Sequence, residues 1–117
     1  MVTFTAEEKG FIIEADGKKL WVSYAEFKGS YNITMALCKE QGGGDETVEN
    51  LQFIARYRDA INDALKKLGK EPISGWYWTN KLTWWRDDCA LIVSTSNGIS
   101  SNAYRYSTNT ARAISIL

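Results

Sequence analysis

Histidine is absent from this chain of 117 residues, and cysteine and proline are scarce, at two and one. Without histidine there is no Ser-His-Asp triad, no imidazole general base and no His-ligated zinc. Two thiols cannot build a four-thiolate zinc site either. An excess of one charge is also lacking, because 14 basic side chains balance 14 acidic ones. That balance removes the bulk field that draws proteins to nucleic acid or to anionic membranes. No window approaches the roughly 18 apolar residues of a spanning helix. The segment Met1 to Lys9 shows no basic stretch leading into an apolar run, so no secretory signal is visible. The expected location is the cytoplasm, or a particle assembled there such as a virion. At roughly 100–200 residues per domain, residues 1–117 read as one domain.

The familiar catalytic and cofactor signatures are missing as well. Gly42-Gly43-Gly44-Asp45 lacks the Gly-Lys-Ser/Thr of a phosphate loop and follows a predicted helix, so it reads as a flexible helix connector. No Gly-x-Gly-x-x-Gly follows a strand. Asp87 and Asp88 are adjacent, whereas glycoside hydrolysis needs two carboxyls held about 5–10 Å apart across a cleft. Asn80, Asp87, Asp88 and Asn97 could offer oxygens to calcium, but their spacing does not enforce convergence. Cys38 and Cys89 fall on different predicted elements and read as buried reduced thiols, with a disulfide as the alternative. The expectation is a domain that is not an enzyme and carries no cofactor and no metal.

What is present is unevenly spread. Residues 1–73 hold 22 of the 28 charged side chains, whereas four of the five tryptophans lie between 76 and 85. From Ser94 to Thr110, 11 of 17 residues are Ser, Thr or Asn. The first half therefore supplies scaffold and the second half surface chemistry.

The periodicity predicts the elements. Residues 10–16 and 18–25 alternate around Asp16-Gly17, a tight hairpin turn, with Phe11, Ile13, Leu20 and Val22 facing inward. A short helix is expected over Asn32–Gln41. A longer one runs from a Thr47 cap through Leu51, Ile54, Tyr57, Ile61, Ala64, Leu65 and Leu68 to Gly69. Strands follow at Gly75–Thr79 and Ala90–Thr95, then a turn at Asn97-Gly98 returning through Ile99 to Tyr106, and a closing strand over Ala111–Leu117. The expected architecture is α+β, with an N-terminal β-hairpin and two helices packed on antiparallel sheets.

Within Gly75–Arg86, Trp76 and Trp78 share one strand face and Tyr77 takes the other, so one of the two tryptophans is expected in the core. Trp84 and Trp85 follow a polar break, and neighbouring tryptophans are hard to bury together. Exposed Trp beside Arg86 has the composition of a binding hot spot. Tyr104, Arg105, Tyr106, Thr108 and Asn109 supply a similar mixture of rigid aromatic area and adaptable hydrogen bonding. Residues 74–117 hold only four cations, Lys81, Arg86, Arg105 and Arg112, too few for a nucleic-acid groove.

The order of motifs carries a resemblance. A helix with Ala36 and Cys38 precedes a Gly-rich turn and Glu49-x-Leu51-x-x-Ile54. Then come Tyr77-Trp78-Thr79, Cys89-Ala90-Leu91-Ile92-Val93, the turn Asn97-Gly98 and Ala111-Arg112-Ala113-Ile114. Over about residues 30–117 this resembles the bacterial Lcl C-terminal-like domains and the Fibrobacter major paralogous domain. The resemblance implies a C-type-lectin-like fold whose last loops form a ligand surface, and kinship with the variable proteins of diversity-generating retroelements. Residue by residue, it assigns that surface to Asn80, Thr83, Trp84, Trp85, Arg86, Asp87, Asn102, Tyr104, Arg105, Tyr106 and Asn109, with Arg112 structural. Glu71-Pro72-Ile73 lacks the Asn of the Glu-Pro-Asn motif of calcium-dependent sugar binders. The expected partner is a protein or glycan surface, not nucleic acid or membrane, with a phage or retroelement receptor-binding role. The alternative is an assembly subunit forming homo-oligomers through its aromatic face.

Overall fold

Asp16 and Gly17 both adopt the left-handed backbone, φ 52° and 76°. This is the geometry of a two-residue turn that matches the twist of its flanking strands. In the computed structural model, which describes residues 1–117, this turn joins β2 (Gly10–Ala15) to β3 (Lys18–Ser23). Phe11, Ile13, Leu20 and Val22 are all buried, as their alternation predicts. β1 (Thr3–Ala6) pairs with β2, and β9 (Ile114–Ile116) pairs with β3, giving the order β1-β2-β3-β9. Both ends of the chain thus build one antiparallel sheet.

Helix α1 (Tyr31–Glu40) buries Thr34 and Cys38. Three helices form where two were expected, because the long apolar period breaks at Tyr57. α2 (Val48–Arg56) starts at Thr47, whose hydroxyl accepts from the Asn50 N–H at 3.2 Å, an ordinary N-cap. At Tyr57 the backbone leaves the helical region (φ −105°, ψ 18°), and α3 (Arg58–Lys67) begins there. The Tyr57 ring packs edge-on against Phe53 while its hydroxyl donates to Asp16. Beyond α3, the Asn62 amide exchanges two hydrogen bonds with the Ile73 backbone, at 2.7 and 2.8 Å, and seats Ile73 in the core.

The second sheet has the order β4-β8-β5-β6-β7, from β4 (Phe27–Gly29), β5 (Trp76–Thr83), β6 (Arg86–Ser94), β7 (Ser100–Tyr104) and β8 (Asn109–Ala111). It is antiparallel except where Tyr77 of β5 meets Thr110 of β8. The closing strand expected over 111–117 is divided: Ala111 ends β8 in this sheet, and Ile114 opens β9 in the other. Arg112 makes the crossing. It is buried and lies 3.0 Å from Glu26, and it donates to the carbonyls of Ser23, Glu71 and Pro72.

Both faces of this sheet are covered. Tyr77 and Val93 look toward α2, α3 and the first sheet, in a core with Leu51, Phe53, Ile54, Ile61 and Leu65. Trp78, Ala90 and Ile92 form a second cluster with Cys38, Ala111 and Ala113. Trp78 is the buried tryptophan, its indole donating to the Gly29 carbonyl at 3.0 Å, whereas Trp76 is part-exposed. The α+β class holds, with three helices and two mostly antiparallel sheets. No helix is long and apolar enough to cross a membrane.

The glycine run at 42–44 connects α1 to α2, as expected, and Gly43 within it is tightly packed. Glu46 is buried behind it and accepts from the N–H groups of Gly44 and Ile114, both at 2.8 Å. A Cβ on Gly43 would stand 2.5 Å from the Glu46 carboxylate and 2.9 Å from the Cys38 carbonyl, so only glycine fits without displacement. Cys38 and Cys89 are unbonded. Burial, helped by the Glu46 charge, pushes the Cys38 thiol up to about 12, so it stays protonated and unreactive.

Candidate interaction surface

β5 and β6 pair regularly from Trp76↔Ser94 to Trp78↔Ile92, then slip register before Leu82↔Ala90 and Thr83↔Arg86. Two threonines brace this irregular stretch. The Thr79 hydroxyl donates to the Leu91 carbonyl at 2.9 Å, and Thr83 donates to the carbonyls of Arg86 and Cys89. The segment 80–87, which falls between the expected strands Gly75–Thr79 and Ala90–Thr95, is therefore a hairpin end in which Trp84 and Trp85 alone form the turn. A two-residue turn between bonded strands leaves its side chains nowhere to fold back. Trp84 is 89% exposed and Trp85 51%, with their rings edge-to-face at 5.3 Å.

Arg86 folds onto the adjoining strand. Its Nε and Nη2 donate to the two oxygens of Asp88 at 3.1 and 2.9 Å, and its guanidinium lies 5.2 Å from the Tyr104 ring centre. The hydrogen bonds from Arg86 hold the Asp88 carboxyl below the usual carboxylate range. Arg105 reaches the other way. It donates to Asn32 Oδ1 at 2.8 Å and the Asp87 carbonyl at 3.3 Å, and it lies 5.7 Å from the Tyr31 ring centre. Tyr106, just beyond, is 81% exposed.

The eleven expected contact residues thus divide. Trp84, Trp85, Arg86, Asp87, Tyr104, Arg105 and Tyr106 gather at one end of the second sheet. Thr83 is buried inside the hairpin and offers nothing to a ligand. Asn80 ties β5 to the glycine turn, donating to the Gly44 carbonyl at 2.9 Å. Asn102 sits mid-strand on β7 opposite Leu91. Asn109 pairs with Gly29 in β8, separated from β7 by β5 and β6. Tyr31, Asn32 and Asp88 join the cluster unforeseen. No sequence signal links Tyr31 and Asn32 to Arg105, 73 or more residues away, because only the fold brings them together.

Three of the four residues considered for calcium have separate engagements. Asn80 serves Gly44, Asp88 serves Arg86, and Asn97 accepts from the Ile99 N–H at 3.0 Å. No three Asp, Glu or Cys side chains converge anywhere. The largest hollow, about 530 Å³, is a polar depression between α2 and the 96–98 turn, away from the aromatic cluster. None of the hollows includes a residue between 84 and 88 or between 104 and 106. The cluster is a projection with no cleft, which suits packing against another surface better than enclosing a small substrate.

No family model, no curated protein and no solved structure matches this chain.

Proposed function

We propose that this chain is a non-enzymatic binding module of C-type-lectin-like fold that presents the Trp84–Tyr106 end of its second sheet to a protein or glycan surface. The observation that carries the reading is the pair Trp84-Trp85, held in water on a braced hairpin. Leaving that apolar area unburied forgoes about 25 cal/mol per Å², a cost that binding would recover. The rings are pre-organised by their mutual contact and by the two-residue turn, so little entropy is lost when a partner covers them. Arg86, fixed by Asp88 beside Tyr104, adds an oriented donor at the rim. The element order, with an N-terminal hairpin, helices and then strands whose ends carry the aromatic cluster, supports the lectin-like reading.

The phage or retroelement receptor-binding role draws support from the division of labour along the chain. Trp84, Trp85, Asp87, Tyr104 and Tyr106 stay outside both core clusters, so they can vary without disturbing the fold. A reverse-transcriptase gene beside a near-identical template repeat spanning residues 84–106 would identify the diversified form.

The direct test applies labelled chain to a printed glycan array and to intact bacterial cells. Binding is expected to fall at least roughly 30-fold in Trp84→Ala or Trp85→Ala, the size of a hot-spot loss of about 2 kcal/mol. Undiminished binding by the double variant would refute the assignment. So would a stability loss above about 3 kcal/mol for each single variant, which would make the tryptophans core residues.

A further inference from the structure

The second sheet ends on β7, whose outer side is bare. The bonds Arg105 N–H to Asp88 O and Ser94 N–H to Ile99 O set the phase of its ladder with β6. Ser101 and Ala103, with the Ile99 carbonyl and the Arg105 N–H, therefore turn toward β6, and Ser100, Asn102 and Tyr104 turn their backbone groups outward. Of these outward groups only the Tyr104 carbonyl has a partner within the chain, the Ser107 N–H at 2.9 Å.

Edge strands are normally blunted by charge, proline, bulges or a covering element. β7 reads Ser-Ser-Asn-Ala-Tyr, with no charge and no proline, and it pairs with β6 over five consecutive residues without a bulge. The sheet's opposite edge, β4, is three residues long, carries Lys28 and packs beside α1.

We infer that β7 pairs antiparallel with β7 of a second copy about a two-fold axis at Asn102, extending the five-stranded sheet to ten strands. Its own sequence is self-complementary in this register. The outward set 100, 102, 104 is symmetric about Asn102, so Ser100 faces Tyr104 of the other copy and Asn102 faces Asn102. Four backbone hydrogen bonds then form between free groups, two at the centre and one from the Tyr104 N–H to the Ser100 carbonyl at each flank, the Tyr104 carbonyl staying with Ser107. On the face shared by these residues, Asn102 meets its own counterpart, a pairing that fixes register. No like charges oppose one another along β7, and the chain's zero net charge puts no long-range repulsion between copies. The interface leaves Trp84 and Trp85 free and sets the two aromatic ends at opposite extremes of one continuous sheet, a bivalent arrangement.

The test uses the full chain. Light scattering across a concentration series is expected to show a dimer. Asn102→Cys is expected to form an interchain disulfide on mild oxidation, because facing Cα atoms in a bonded pair stand about 5.5 Å apart. Ser101→Cys is not, because its counterpart lies on the diagonal, roughly 7–8 Å away and at the edge of disulfide reach. Cys38 and Cys89 are buried and do not compete. Asn102→Lys, an exposed substitution, is expected to keep the melting temperature of the protomer and raise the dimer dissociation constant at least roughly tenfold. A monomer at every concentration overturns the inference. So does a dimer that Asn102→Lys leaves intact and Trp84→Ala dissociates, which would put the interface at the aromatic end.

Discussion

The two ends of the second sheet are made from the same residue types and do opposite things. At the inner end, Tyr77, Arg112 and Glu26 are locked together, the Tyr77 hydroxyl donating to Glu26 and Arg112 ion-pairing with it, while Trp78 is buried on the opposite face and donates to Gly29. At the outer end, Trp84, Tyr104, Arg86 and Asp88 form a parallel set, with the ion pair at 2.9 Å, but in water. Composition alone cannot separate a keystone from a contact surface. What separates them is how many neighbouring elements close over the group. The inner set is covered by the two core clusters, and the outer set belongs to neither.

The largest expected effect breaks the inner end. Arg112→Ala leaves Glu26 and three carbonyls without their donor in a nearly dry site, and the loss should be about 3–5 kcal/mol of unfolding free energy. Trp78→Ala should cost a similar amount through its cavity. Trp84→Ala, the same chemical deletion at the other end, should cost less than about 0.5 kcal/mol. Urea titration of the three variants checks the contrast, and equal losses for Trp78→Ala and Trp84→Ala would abolish it.

Next in size is Gly43→Ala. The new methyl would meet the Glu46 carboxylate, the Cys38 carbonyl and Ala113 within 3.0 Å, so backbone must move, at about 1–3 kcal/mol. Alanine in place of an unconstrained connector glycine would instead be neutral or mildly stabilising, and the sign of the change in urea midpoint decides between the two.

These inner features are also the ones the sequence hid. Local signals were readable: Asp16-Gly17 and Asn97-Gly98 make their turns, and Thr47 caps its helix. Alternation placed Phe11, Ile13, Leu20 and Val22 inside. The failures are all non-local. Tyr77 is buried because helices close the face opposite Trp78, which no period-2 pattern reveals. Glu46 is buried because Gly44 and Ile114, 70 residues apart, both donate to it. Thr83 turns inward because the register slip leaves carbonyls for it to satisfy. In the candidate surface, the contiguous run Trp84–Asp87 and the pair Tyr104–Arg105 were readable. Asn80 and Asn109 were not, since an asparagine on a strand can equally serve a ligand or a neighbouring turn.

Glu46 gives a smaller effect with a definite sign. Burial, the dominant influence, raises its carboxyl above the ordinary value of 4.5, against the lowering effect of its backbone donors. The folded state then holds the proton more tightly than the unfolded chain. The associated stability is fully present below the unfolded value and is lost as pH rises through the raised folded one. Melting temperature should therefore climb as pH is lowered from neutral toward about 4.5, and Glu46→Gln should flatten that slope. A wild-type profile that falls across this window would contradict the assignment.

The smallest effect probes the outer end, where an ion pair of good geometry sits in high dielectric. Such a pair orients groups more than it stabilises the fold, so Arg86→Gln should leave the melting temperature unchanged within error at low and high salt. Its signature lies in titration. Asp88 is held below its ordinary 3.8 mainly by hydrogen bonds from Arg86, and the variant should return it toward that value. A carboxyl-detected NMR titration reads this directly. The sign is opposite to that of Glu46: stability linked to Asp88 is present above the unfolded value and disappears as pH falls through the lowered folded one. In the melting profile Glu46→Gln should therefore flatten the limb that rises toward about 4.5, whereas Arg86→Gln should leave that limb in place and show only in the Asp88 titration.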